Sequence, residues 1–168
     1  MFVASMNPCP CGFYGSLDKE CTCSKEAISR YMGKISGPLL DRIDIQIEVT
    51  PVKYQKLENN SNQIKSEDIR KRVNRARKIQ VARYKDYEIY SNSELTPKLT
   101  EKYCRLDEVS KKIMQYSFEK LGLSARAYER ILKVARTIAD LDEKENIEEK
   151  HIAEAIQYRS LDRKYWKN

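Results

Sequence analysis

The sequence predicts a mainly α-helical protein with an incomplete α/β piece at its front. Three observations predict this. Gly and Pro are few, five of each in 168 residues, and four of each fall before residue 58. Beyond that point Lys, Glu, Arg, Leu, Ile and Ala dominate, the residues that favour helix. From about residue 95 onward apolar residues recur at helical spacing, while strand character is confined to two short stretches near the front.

Taken in order, residues 2–5 read as a short buried strand, and Ser24 caps a helix over Lys25–Met32 with Glu26 in its first turn and Gly33 as its stop. Ile43, Ile45, Ile47 and Val49 alternate with Asp44, Gln46 and Glu48, the period of a half-buried strand, which Pro51 ends. Two strands do not make a stable sheet, so this front part is expected to belong to a larger sheet. Residues 58–65, ENNSNQIK, read as a polar linker.

Ser66, Glu67 and Asp68 open a helix expected over about 67–86, with Ile69, Val73, Ala76 and Ile79 on one face. A turn at 91–97 and a short helix around 98–103 follow. Three longer helices complete the chain: 107–121 with Val109, Ile113 and Tyr116 inward and Gly122 as stop; from the Ser124 cap to 141 with Tyr128, Ile131, Leu132, Ala135 and Ile138 inward; and 148–158 with Ile152, Ala155 and Ile156 inward. The expected organisation is therefore 1–57 as an α/β remnant with a cysteine-rich loop, 58–94 as linker and long basic helix, and 95–168 as a helical bundle.

Composition narrows the function classes. Hydrophobic residues make up 40% and charged residues 34%. No apolar run approaches the ~20 residues that a membrane span needs, and the N-terminus does not resemble a signal peptide. The expectation is a cytoplasmic protein without a membrane partner, whose five cysteines are reduced or metal-bound. The formal net charge is +7, and the stretch from Arg70 to Arg83 alone holds seven basic residues and no acidic one. Arg70, Lys71, Arg75, Arg77 and Lys78 are candidates for nucleic-acid phosphates, with Tyr84, Tyr87 and Tyr90 behind them as stacking platforms. The plainer reading is a solvated helix joining two parts of the chain.

Cys9-Pro-Cys11, nine residues, then Cys21-Thr-Cys23 place four thiols in two close pairs with an interval long enough to fold back. Such a set can close a tetrahedral zinc site, although two-residue spacing within each pair is the commoner signature; the alternative is four free thiols. Cys104 reads as a buried packing residue. His151, the single histidine, reads as a capping or packing group, which leaves no Ser/His or Cys/His nucleophilic set.

VASMNPCPCG, CTCS, RYMGKISGPLLDRIDIQIEV, LGLSARAYERILKVARTIADL and HIAEAIQYRSLDR, in that order, resemble consecutive landmarks of the magnesium-chelatase-like AAA+ ATPases, in particular their competence (ComM-type) branch. The resemblance covers nearly the whole chain. It implies a C-terminal third: the phosphate-binding loop GxxxxGK[ST] and the acidic magnesium-binding motif of the family would lie upstream, and this part alone would not hydrolyse ATP. It implies that 95–168 is the family's helical lid, and that the parent uses ATP and Mg2+ in a ring, expected to be a hexamer, to remodel DNA as a helicase.

Three residues acquire roles from the resemblance. Asn7 matches sensor 1, a neutral donor and acceptor that orients the attacking water. Arg42, in GPLLDRIDI, matches the arginine finger that reaches a neighbouring subunit's nucleotide. Arg126, in LSARAYER, matches sensor 2, with Arg130 one turn on as a second contact. The plainer alternatives are a turn-forming Asn, an Arg paired with Asp41 or Asp44, and a solvated first-turn Arg. Two other function classes stay open: a nucleic-acid-binding helical module, and the motor subunit of a metal chelatase.

Overall fold

The structure is a computed structural model that describes residues 2–16, 18–49 and 64–159. These divide into two compact units, one running to Ile43 and the other from Asp44 to Arg159. The 58–63 part of the expected linker, Pro51 and residues from Ser160 on lie outside the described residues.

In the first unit, α1 spans Lys25–Met32 as the sequence predicts. Ser24 accepts a hydrogen bond from the Ala27 N–H at 3.2 Å, satisfying one of the orphan donors of the first turn. Gly33 ends the helix, its N–H bonding the Ser29 carbonyl at 2.8 Å. A second, single-turn helix, α2 (Gly37–Leu40), has Pro38 near its start, where a missing N–H costs nothing. Cys9, Met32 at the end of α1 and Leu40 at the end of α2 are the buried apolar side chains of this unit among the described residues.

The two expected strands do not form. Among the described residues there is no strand, and residues 2–5 and 43–49 are irregular. Phe2, Val3, Ile45, Ile47 and Val49 are exposed, Val3 and Val49 at 81%. Alternation specifies which face would be buried, but a strand also needs a neighbour that takes its backbone hydrogen bonds in a repeating ladder; the Gln46 N–H bonds the Tyr158 carbonyl at 3.0 Å, and no ladder forms among the described residues.

The second unit is a helical bundle. Helix α3 spans Ser66–Arg83, α4 Pro97–Tyr103, α5 Glu108–Leu121, α6 Ala125–Leu141 and α7 Glu149–Gln157, with a 3-10 turn at Asn92–Glu94. Capping fixes most of these starts: Thr96, Asp107 and Ser124 each accept from a backbone N–H three residues on. Helix α3 is the exception, since Lys65 rather than Ser66 occupies its N-cap and no side chain caps it. Helix α5 ends at Gly122, whose φ of 49° lies in the left-handed region, with the Leu123 N–H returning to the Phe118 carbonyl at 3.1 Å.

Helix α6 is the hub. Helices α3, α4 and α7 and the 3-10 turn pack on it, and α5 packs on α7. Its buried face carries Ala127, Ile131, Leu132, Ala135, Ile138 and Ala139, and the three alanines let neighbouring helices approach closely. Met114, Leu95, Tyr84, Cys104, Ile147, Ile152 and Ala155 complete the core around it.

Three inward assignments are corrected. Val109 and Tyr116 are 52% and 63% exposed, and α5 instead buries Ser110 and Met114, with Ile113 half-buried. Ile113 fits either face, so spacing alone does not separate them. Tyr128 is 38% exposed and meets Phe118 edge-to-face at 6.3 Å near the surface. On α3, Ala76 and Gln80 are buried while Ile69 and Val73 are exposed, because that helix is joined to α6 through its charged side chains as much as its apolar ones.

Candidate functional site

The four cysteines converge. Gly12 takes a φ of 85° and its N–H bonds the Cys9 carbonyl at 3.0 Å, turning the chain directly after Cys11. The return through 18–20 brings Cys21 and Cys23 back. The Cys9 sulfur lies 3.3 Å from that of Cys11 and 3.7 Å from that of Cys21, and Cys11 to Cys21 is 3.6 Å. All four sulfurs lie within 4.8 Å of one another, and none is in a disulfide. Cys9 is buried; the other three are half-buried.

Backbone amides aim at these sulfurs. The Tyr14 N–H donates to Cys9 at 3.4 Å. The Phe13 N–H, with help from that of Thr22, brings the Cys11 thiol down to about 6. The Cys23 N–H pulls Cys21 down, but burial and the Cys11 and Cys9 sulfurs outweigh it and push Cys21 up to about 12. Cys23, which receives the Cys11 N–H, is likewise raised by burial and the same two sulfurs. A thiolate at Cys11 thus makes further ionisation of its neighbours costly.

Asn7 is exposed and lies beside this turn: a Cβ at Gly12 would stand 3.7 Å from the Asn7 side-chain amide. Arg42 is also exposed, in the first unit just after α2, and its guanidinium donates to the Pro38 carbonyl at 2.8 Å. Arg126 is exposed in the first turn of α6, in the second unit. Arg130, one turn along, pairs with Asp44.

The basic helix is partly committed to structure. Arg72 and Arg75 pair with Asp142 and Glu143 at 3.1 and 3.2 Å, beyond the end of α6, and Lys71 pairs with Glu67 at 2.7 Å. Arg70, Arg77 and Lys78 are exposed, with Arg77 donating to Gln80 at 3.3 Å. Two of the expected stacking platforms are engaged internally: Tyr84 is fully buried, and Tyr84 and Tyr87 both meet Tyr103 edge-on, at 5.3 and 6.2 Å. Tyr90 is 69% exposed.

Sequence reasoning missed a buried ionic cluster. Asp140 is fully buried and takes two hydrogen bonds from Arg83, at 2.9 and 2.5 Å, one from Asn92 at 2.8 Å, and an ion pair with Arg136 at 3.1 Å. Arg136 also donates to the Lys144 and Glu145 carbonyls, both at 2.6 Å. The signal available was a helix whose apolar stripe is interrupted by Arg136 and Asp140, one turn apart on that stripe. His151 is fully buried and its Nδ1 accepts from the Glu148 N–H at 2.9 Å, the capping role its position suggests. Cys104 is buried in the core, and burial pushes its thiol up to about 11.

Comparison with known proteins matches two family models in succession: magnesium chelatase, subunit ChlI, over residues 1–57, and magnesium chelatase, subunit ChlI C-terminal, over residues 63–159. Competence protein ComM of Haemophilus influenzae is 40% identical over 160 residues, which is 95% of this chain and 30% of that protein. Uncharacterized protein YifB of Escherichia coli (strain K12) is 36% identical over 164 residues, 96% of this chain and 31% of that protein. An uncharacterized protein of Mycobacterium tuberculosis (strain ATCC 25618 / H37Rv) is 28% identical over 157 residues, 94% of this chain and 31% of that one. The chain thus spans about 30% of the length of the curated relatives it matches. No helix among the described residues is long and apolar enough to cross a membrane. With the C-terminal model matching residues 63–159, within the mainly helical second unit, the chain belongs to the magnesium chelatase subunit ChlI family, as a ComM-like member.

Proposed function

We propose that this chain is the C-terminal part of an ATP-driven ring motor that remodels DNA, and that it supplies three contacts to nucleotide sites formed with other copies. The observation that carries the reading is the order of the two family models along the chain, 1–57 and then 63–159, at 40% identity to a competence protein. In this reading Asn7 orients the attacking water beside the terminal phosphate, the four-cysteine loop supports Asn7, Arg42 reaches a neighbouring subunit's phosphates and Arg126 contacts nucleotide from the lid as sensor 2. Guanidinium suits the last two tasks because it stays charged and binds two oxygens at once. The exposure of Asn7, Arg42 and Arg126 leaves all three accessible to such partners. ATP and Mg2+ would be held chiefly by the upstream part of a full-length protein.

DNA would run along the exposed part of α3, at Arg70, Lys71, Arg75, Arg77 and Lys78, by phosphate contacts whose affinity falls steeply with salt. The family models' description favours one second reading, a motor that drives metal insertion by a partner chelatase. Stimulation of ATP turnover by single-stranded DNA supports the first reading; stimulation only by a chelatase partner supports the second.

The test is nucleotide binding and turnover measured separately in the full-length protein. Arg126→Ala is expected to weaken ATP binding as well as turnover. Arg42→Ala is expected to leave binding intact and lower turnover by about 10^3-fold, the lower end for an arginine finger. Turnover unchanged in both variants would overturn the reading.

A further inference from the structure

We propose that Cys9, Cys11, Cys21 and Cys23 form a tetrahedral four-thiolate site for one zinc ion, which staples the loop carrying Asn7 to the start of α1. A zinc ion bound by four sulfurs at about 2.3 Å sets them about 3.8 Å apart along each edge of the tetrahedron. The three closest sulfur pairs here stand at 3.3, 3.7 and 3.6 Å, and the fourth sulfur is within 4.8 Å of the rest. Free thiols have no reason to gather four at a time, and four thiolates so placed repel one another unless a cation sits between them. An iron–sulfur cluster seats several irons and sulfides among its cysteines and needs them set further apart, so the spacing selects a single ion.

The surroundings fit as well. A backbone amide meets the cluster, the Tyr14 N–H donating to the Cys9 sulfur at 3.4 Å. Such an amide holds its sulfur ligand in orientation and disperses its charge. Among the described residues, the first unit buries little apolar surface with which to hold this loop. Its buried apolar side chains among the described residues are Cys9, Met32 and Leu40, too few to order a segment rich in Gly, Pro, Ser and charge. Cys23 directly precedes the Ser24 cap of α1, so the ion ties the turn beside Asn7 to a helix end.

The experiment measures metal in the chain purified reduced and without chelators. About one zinc per chain is expected, unchanged in Cys104→Ser and lowered at least about tenfold in Cys9→Ser and Cys21→Ser. Removing the metal should open Lys19 and Lys25 to trypsin well before sites in the second unit. Because the cysteine variants can fail to fold for other reasons, the wild-type chain stripped of metal and loaded with cobalt gives an independent readout. Thiolate-to-cobalt charge transfer with tetrahedral d–d bands supports the site. No zinc uptake, iron in its place, a cobalt spectrum without thiolate character, or full zinc retained by both cysteine variants would overturn it.

Discussion

Arg83 and Asp140, 57 residues apart in sequence, meet through two parallel hydrogen bonds, with the carboxylate fully buried. This pair joins the end of α3 to the end of α6, and Asn92 and Arg136 complete the carboxylate's shell. The 3-10 turn enters the same arrangement, since the Tyr84 hydroxyl donates to Asn92 at 2.6 Å and Asn92 donates to Thr137 at 3.0 Å.

Removing Asp140 should therefore be severe. Asp140→Ala leaves Arg136 buried at 2% exposure and Arg83 half-buried with no opposite charge. Breaking such a buried pair from one side typically costs about 3–5 kcal/mol. Arg83→Ala should cost less, about 1–3 kcal/mol, because Arg136 and Asn92 still satisfy the carboxylate. Urea denaturation followed by circular dichroism measures both; an Asp140→Ala cost under about 1 kcal/mol would contradict this role.

Asp142 gives the bundle a pH dependence. Its carboxyl is held below the usual aspartate range chiefly by the Lys150 hydrogen bond, against burial, with the Lys150 charge and His151 assisting. Arg72, Lys150 and His151 face it from α3 and α7 at 3.1, 2.8 and 3.3 Å. Since the His151 Nδ1 accepts from Glu148, the neutral ring carries its proton on Nε2, toward Asp142. A lowered folded-state value means that the contribution is present above the unfolded value and is lost as pH falls through the folded one. Asp142→Asn should thus cost about 1 kcal/mol near neutrality and nothing once acid has protonated the wild-type carboxyl. Denaturation midpoints of both proteins, compared from pH 7 downward, check the convergence; a constant gap would contradict it.

Gly122 holds the turn between α5 and α6. At a φ of 49°, an alanine there is strained by its own Cβ. Gly122→Ala is expected to lower stability by about 1 kcal/mol, seen as a lower thermal midpoint. An unchanged midpoint would mean that the turn relaxes to another conformation.

Most of the helices were legible because their boundaries carry local chemistry, α3 with its uncapped start at Lys65 being the exception. Ser24, Asp107, Ser124 and Gly122 mark starts and a stop that the backbone uses. Helix α2 was not foreseen: Gly37–Leu40 is one turn long, too short for periodicity to register. The alternation at 43–49 described a face without a partner strand. Tyr128 and Tyr116 show that large apolar residues need not face the core when smaller Ala127 and Ser110 fit closer to the neighbouring helix. Of the candidate site, the gathering of the four cysteines was legible from their spacing. The buried Asp140 cluster was not, because its partners Arg83 and Asn92 lie far away in sequence. Nor was the internal use of Tyr84 and Tyr87, since an exposed platform and a packed ring read alike in one dimension.

The claim that Arg42 acts on a neighbouring copy is tested most directly by mixing two inactive full-length proteins. One carries Arg42→Ala; the other carries a substitution of the lysine in the phosphate-binding loop that the proposed function places upstream. Each alone should hydrolyse ATP at no more than about a thousandth of the wild-type rate. The account predicts that mixed assemblies regain turnover, because an intact nucleotide site then meets an intact arginine from the next subunit. Wild-type turnover by Arg42→Ala alone, or no recovery in assemblies proven to contain both proteins, would contradict it.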